Sequence, residues 1–253
     1  MIGVFDSGLG GLCALRHLRK MLPDADLLYY ADTAHLPFGT RTEREICAYT
    51  RRALTLFRSC GADAVLIACG TASSLVPGKC KAEFPFPVFD VLHPAACAAA
   101  ATSPFGRIAV AATVATCASG AFAREIRLRR PEVSVLSLPC PALVLTAEEG
   151  VTGEERRCAV REALDPVCAF RADTLVLGCT HFPLLRATIE ALYPYLRIVD
   201  AAEEGARRLA VTVSPPHESG RVRYLVTGSP DRFAERAHRA LGGLFAEGEI
   251  YPC

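Results

Sequence analysis

The chain has no tryptophan, only 2 methionines and almost no net charge: its 28 lysines and arginines stand against 27 aspartates and glutamates. With the charges scattered, that balance leaves no electrostatic footprint for nucleic acid. The one local basic cluster, Arg124 to Arg130, reads as a solvated helix face. Long hydrophobic runs are missing too. Hydrophobic residues make up 51% of the 253 positions, yet no stretch reaches the roughly 18 uncharged apolar residues of a membrane span. The alanine-rich run from Pro94 to Thr102 is too short, and reads as a closely packed helix. A basic leader segment is also lacking, because Ile2–Phe5 already reads as a strand. The expectation is a cytoplasmic protein with no signal peptide and no membrane association.

Cysteine, by contrast, is plentiful, with 12 residues. They are dispersed, with no Cys-x-x-Cys and no paired spacing, which is not the pattern of a disulfide framework. Cys13, Cys47, Cys60, Cys80, Cys97, Cys117, Cys158 and Cys168 stand where alanine, serine or valine would serve, and are expected to be buried small hydrophobes. Two others sit in a repeated setting, Leu66-Ile67-Ala68-Cys69-Gly70-Thr71-Ala72-Ser73 and Val176-Leu177-Gly178-Cys179-Thr180-His181-Phe182-Pro183. In each, a buried-type strand ends at a cysteine followed by small and hydroxyl residues that would open a helix. A zinc site from Cys69, Cys179 and His181 fits no ordinary zinc framework, so no metal is expected.

Short, apolar, unalternating runs recur at Ile2–Phe5, Asp26–Ala31, Ala64–Ala68, Val88–Val91, Ile108–Ala112, Val133–Ser137, Thr174–Gly178, Arg197–Val199 and Val222–Val226. Such runs suit strands buried on both faces. Amphipathic stretches such as Arg41–Ser59, Glu154–Ala169 and Asp231–Leu244 separate them. The alternation predicts an α/β fold with mainly parallel sheets. A weaker echo, Gly3–Gly8 against Ile108–Thr113, opens each half ahead of its cysteine strand. Two pseudo-symmetric, doubly wound domains are therefore expected. Residues 1–92 with 204–253 would carry Cys69, and residues 93–203 would carry Cys179. Ligands of open α/β sheets bind beyond the C-terminal ends of strands, where both cysteines fall, so the cleft between the domains is the expected site.

Asp6-Ser7-Gly8-Leu9-Gly10-Gly11 follows the first strand and leads into a helix. Its glycines leave backbone N–H groups free for an anion. A dinucleotide fingerprint would need glycine where Cys13 stands, and no Lys-Ser/Thr follows for a phosphate-binding loop. A capped turn with Asp6 or Ser7 as N-cap is the simpler alternative. At a helix start the dipole would lower the pKa of Cys69 and Cys179 and favour the reactive thiolate. Thr180 offers a hydroxyl and a backbone donor to a substrate carboxylate, and His181 can exchange a proton with a neighbouring thiol. Glu148 and Glu149, adjacent acids before Gly150, read on pattern alone as a solvated helix end. The loop Asp32–Gly39 lies at the same strand edge as Asp6 and would wall the cleft, with His35 a surface or hinge residue.

At these residues the chain resembles the glutamate racemases of the cofactor-independent aspartate/glutamate racemase superfamily. The resemblance runs over nearly its whole length: Phe5-Asp6-Ser7-Gly8, Ala31-Asp32-Thr33-Ala34 with Pro37-Phe38-Gly39, Ala68-Cys69, Cys140-Pro141 to Glu148-Glu149-Gly150, and Gly178 to Leu185. It implies L- to D-glutamate interconversion without pyridoxal phosphate or another cofactor, supplying D-glutamate for peptidoglycan synthesis and hence cell shape. Cys69 would act on the D enantiomer with help from Asp6, and Cys179 on the L enantiomer with help from His181 and Glu148. Substrate binding carries over to Asp6, Ser7, Phe38, Gly39, Gly70, Thr71, Thr116, Thr180 and His181, with Thr113 and Ser119 as weaker candidates. The resemblance alone suggests a homodimer. Two residues depart from the family pattern. Gly70 replaces the usual asparagine of Cys-Asn-Thr, and Phe38 the usual tyrosine of Pro-Tyr-Gly. Rival readings are a racemase of aspartate or another amino acid, an inactive binding protein on the same scaffold, and a thiol redox or zinc protein.

Overall fold

A computed structural model describes residues 1–213, 219–242, 245 and 248–253. The strands, in chain order, are β1 (Ile2–Asp6), β2 (Leu27–Ala31), β3 (Ala64–Ile67), β4 (Val88–Asp90), β5 (Arg107–Ala112), β6 (Ser134–Pro139), β7 (Thr174–Leu177), β8 (Arg197–Asp200), β9 (Val222–Val226) and β10 (Glu249–Pro252). They form a six-stranded sheet of order β10-β9-β2-β1-β3-β4 and a four-stranded sheet of order β6-β5-β7-β8. Every pairing among the described strands is parallel. β1, β2, β3 and β7 are buried along their whole length, as unalternating apolar strands covered on both faces must be.

The helices are α1 (Leu12–Met21), α2 (Glu43–Ser59), α3 (Gly70–Leu75), α4 (Gly78–Lys81), α5 (Leu92–Thr102) and α6 (Val114–Ser119) in the first part of the chain. There follow α7 (Ala121–Arg129), α8 (Pro141–Glu148), α9 (Gly153–Ala169), α10 (Arg186–Leu192), α11 (Ala201–Thr212) and α12 (Pro230–Leu241). One face of the six-stranded sheet packs Phe5, Tyr30 and Val65 against Ile46, Leu54 and Phe57 of α2. The far face of the four-stranded sheet packs Leu175 and Leu177 against Val160 and Leu164 of α9 and Ile189 of α10. Between the sheets runs one continuous core that joins Val4 and Leu66 to Ile108 and Val110. It is filled by α5 and α11, whose Ala95, Ala96, Ala99 and Ala206 are wholly buried. Their small side chains let the two helices and α1 approach closely, which is what the alanine-rich run predicted.

The register positions the chemistry. Phe5 lies opposite Ile67 and Asp6 opposite Ala31, so Asp6, Asp32 and Cys69 leave neighbouring strand ends. Ala111 lies opposite Leu177, so Thr113 and Cys179 emerge together from the other sheet. The basic cluster is indeed a helix face, with Arg129 paired to Glu125 and Arg130 to Glu132. No helix among the described residues is long and apolar enough to cross a membrane.

Two expectations need correction, and one strand was missed. Cys13 and Cys80 are buried, but Cys60, Cys158 and Cys168 are exposed: Cys60 caps the end of α2, and the other two lie on the outward side of α9. The helix expected to reach Leu244 stops at Leu241, where Gly242 takes φ +55°; positions 243 and 244 lie outside the described residues. β10 was not foreseen, because this four-residue strand is mostly exposed and carries no buried apolar run.

Candidate active site

Cys69 and Cys179 are 4% and 7% exposed and line one cavity of about 430 Å³, Cys69 from the end of β3 and Cys179 from the end of β7. Ser7, Phe38, Gly39, Gly70, Thr71, Thr113, Thr180, His181 and Glu148 share the lining. Around its mouth stand apolar side chains, among them Pro141, Val144, and the exposed Val114 and Leu145. Among the described residues, the thiols and His181 do not gather as a metal-ligating group would, and both cysteines are free.

The two thiols have different company. Cys69 is the N-cap of α3, and its Sγ lies 3.7 Å from Ser7 Oγ. The helix-start argument predicted a lowered pKa. Burial instead pushes the thiol up to about 12, and the charge of Asp6 adds to the rise. A six-residue helix cannot offset the lost hydration of a buried thiolate. On the other side, Cys179 Sγ lies 3.7 Å from His181 Nδ1. No α-helix begins there: Phe182–Leu185 form a short 3₁₀ turn, with Pro183 at its start, before α10. The partner of Cys179 is therefore an imidazole rather than a helix dipole.

His181 Nε2 lies 2.8 Å from Glu148 Oε1, a contact close enough for an ion pair although not aligned as a straight hydrogen bond. The other oxygen of Glu148 accepts from Arg236. Burial alone would push the imidazole pKa down, but the hydrogen bond with Cys179 and the charges of Cys179 and Glu148 carry it up to about 10. Burial likewise opposes ionisation of Glu148, and His181 with Arg236 outweigh it, so its pKa falls. Glu148 is only 8% exposed while Glu149 is exposed. The pattern reading of a solvated acidic pair thus holds for Glu149 and fails for Glu148.

Asp6 is buried and does not line the cavity. It sits behind Thr180, whose hydroxyl donates to Asp6 Oδ2 at 3.2 Å, and it also accepts the N–H of Gly11. That second bond closes the glycine turn ahead of α1, but the N-cap of α1 is Gly11 with no side-chain cap, so neither Asp6 nor Ser7 caps the helix as the capped-turn alternative expected. Burial raises the Asp6 pKa to about 6 against the opposing pull of His181, Thr180 and Gly11. Thr116 is also behind the wall. Its hydroxyl is 2.9 Å from that of Thr113, which in turn is 3.0 Å from that of Thr71. This hydroxyl chain ties α3 of one half to α6 of the other. Ser119 stays outside the cavity, donating to Thr116 O and accepting from Ala121 N.

Gly70 marks where the two cysteine turns meet. A Cβ built there would lie 2.1 Å from Gly178 O. Gly10 makes a similar approach, with Thr180 Oγ1 2.4 Å from where its Cβ would be. The departure from asparagine at position 70 therefore has a steric counterpart. Arg236 escaped the sequence reading, because nothing in its spacing separates it from the other charges of the amphipathic α12.

The sequence profile of the Asp/Glu/Hydantoin racemase family matches residues 13–209. A glutamate racemase from Symbiobacterium thermophilum is 42% identical over 260 residues, which span 99% of this chain and 94% of the relative. Among solved structures, a glutamate racemase isoform from Bacillus anthracis superposes with a TM-score of 0.92 at 29% identity, covering 100% of this chain and 97% of its own. A glutamate racemase from Francisella tularensis, solved in complex with D-glutamate, does so with a TM-score of 0.87 at 27% identity, covering 100% and 96%. With two buried cysteines facing one cavity and a match over most of its length, the chain belongs to the Asp/Glu/Hydantoin racemase family.

Proposed function

We propose that this chain is a glutamate racemase that moves the Cα proton between two thiols without a cofactor. The observation that carries the reading is the pair of buried cysteines on one cavity, each leaving a parallel strand of a different sheet and each with its own polar partner. We take residues 1–92 with 204–253 and residues 93–203 as the two domains. D-glutamate formed here would serve peptidoglycan synthesis.

The Cα proton of an amino acid is very weakly acidic, so the chemistry needs a positioned base, a dry site and donors for the developing charge. Cys179, with His181 beside it, acts as the thiolate base that abstracts the proton of L-glutamate. Buried Cys69, held as the thiol, donates a proton to the opposite face. The product complex then has the thiolate at Cys69 and the thiol at Cys179, and the reverse reaction starts from there. Ser7 and Asp6 support Cys69, while Glu148 holds the charge on His181. The hydroxyls of Thr71 and Thr180 and the backbone N–H of Gly70 are donors for the substrate carboxylates. Thr116 backs Thr71, and Phe38 and Gly39 close the wall.

Incubating the protein with L-glutamate, and separately with L-aspartate, without pyridoxal phosphate tests the reading by circular dichroism. Loss of the glutamate signal to zero is expected, with aspartate turned over far more slowly. Faster turnover of aspartate would replace the substrate assignment. No turnover of any amino acid would leave the binding-protein reading in its place.

A further inference from the structure

Arg236 stands outside every role assigned so far. It belongs to α12, which follows β9 of the six-stranded sheet, yet it reaches across to Glu148 at the end of α8, beside the four-stranded sheet. It also borders the cavity of the two thiols. The two carboxylate oxygens of Glu148 are divided between Arg236 and His181, and His181 reaches Cys179 with its other nitrogen. Four side chains thus form one line, Cys179–His181–Glu148–Arg236, running from the reacting sulfur to the cavity edge.

Resting on the racemase reading, we propose that Arg236 is a positioning residue for the Cys179 side of the reaction: its guanidinium fixes and neutralises the buried Glu148 carboxylate, so that Glu148 keeps His181 charged and aimed at Cys179. A carboxylate removed from water holds its charge only when paired, and the guanidinium is a cation with a planar fork suited to it. Two independent features of the fold support the assignment. Glu148 is buried although its neighbour Glu149 is exposed, so its carboxylate depends on side-chain partners where Glu149 has water. Arg236 also joins elements of the two sheets, so the line is complete only when α12 and α8 are in contact. The charged and titratable groups around the line are few. His181 is faced by Cys179, Glu148 and Asp6, and Glu148 by His181 and Arg236, with Arg232 lining an adjoining cavity beside Glu148 and Arg236. Cys69, Cys13 and Cys140 are the further thiols within electrostatic range of Cys179.

Arg236→Gln removes the charge and keeps a polar, though shorter, side chain; Arg236→Lys keeps the charge without the fork. The test is iodoacetamide labelling of the unliganded protein across a pH series, with Cys179 and Cys69 followed separately by peptide mass spectrometry. In the glutamine variant, Cys179 should label about three- to tenfold more slowly at neutral pH, and its profile should move to higher pH, because one nearby positive charge is gone. The Cys69 profile should stay in place. The lysine variant should label close to wild type, and kcat should fall more in the glutamine variant than in the lysine one, with KM little changed. An unchanged Cys179 profile in the glutamine variant would overturn the proposal. So would a rise in KM alone, which would make Arg236 a substrate contact. Labelling needs no turnover, so its outcome is read separately from whether glutamate is racemised, and a matching Tm for both variants excludes a merely structural loss.

Discussion

Restoring the asparagine usual at position 70 should damage this protein. By sequence logic Gly70→Asn returns a lost amide to the substrate, and activity should rise. The geometry predicts the reverse. The new Cβ would lie 2.1 Å from the carbonyl oxygen of Gly178, where real contacts stay beyond about 3 Å, and the obstacle is backbone rather than a side chain that can rotate. The two cysteine turns would have to part by about 1 Å, and a misplacement of that size costs a reacting geometry about 100-fold. That corresponds to about 2.7 kcal/mol of transition-state stabilisation. Gly70→Ala should lose a similar factor, since the clash begins at Cβ. Gly78→Ala is the control, because a Cβ there meets nothing within 4 Å. The assay is kcat/KM for L-glutamate with Tm measured alongside. Activity of the asparagine variant equal to or above wild type would refute the steric argument.

Other outcomes follow from the same geometry. Cys69→Ser and Cys179→Ser should each abolish racemisation, measured by chiral chromatography; full activity in either would remove the two-thiol mechanism. Glu148→Gln strips His181 of its counter-charge, so the alkaline limb of kcat/KM, set near pH 10 by His181, should move down by more than one pH unit. An unmoved limb would assign that limb to another group. Asp6 has a native pKa of about 6 against 3.8 in the unfolded chain. The native state therefore binds the extra proton between those values, and the associated stability, on the order of 3 kcal/mol, is present below pH 4 and lost as pH rises through 6. Asp6→Asn should flatten that part of the urea-denaturation profile, and parallel profiles for the two proteins would contradict the assignment. Gly3→Ala would place a Cβ 2.7 Å from the buried Phe57 ring, and should cost about 1–3 kcal/mol of stability, seen as a lower Tm.

The fold was readable because its strands are buried on both faces and so announce themselves as apolar runs between amphipathic segments. Where burial does not write the pattern, reading stops: β10 is held by parallel pairing to β9, and Glu249 and Tyr251 carry no alternation that says so. The cysteine turns were legible from their repeated context, yet the local rule for thiols at helix starts failed at both. At Cys69 the cost of burial exceeds the dipole of a short helix, and at Cys179 Pro183 and the 3₁₀ turn stand where the helix was expected. Arg236 and the Thr71–Thr113–Thr116 chain join segments far apart in sequence, and no spacing rule brings α12 to Glu148 or α3 to α6.

The central claim is that two different thiols work on opposite faces of one carbon. Its most direct test is L-glutamate turned over in D2O, with isotope content followed in both enantiomers before equilibrium. When one group removes the proton and another, already exchanged with solvent, delivers the replacement, early D-glutamate should carry deuterium at Cα and remaining L-glutamate should stay protiated. Early D-glutamate that retains the substrate's own proton would place both steps on a single base and contradict the account.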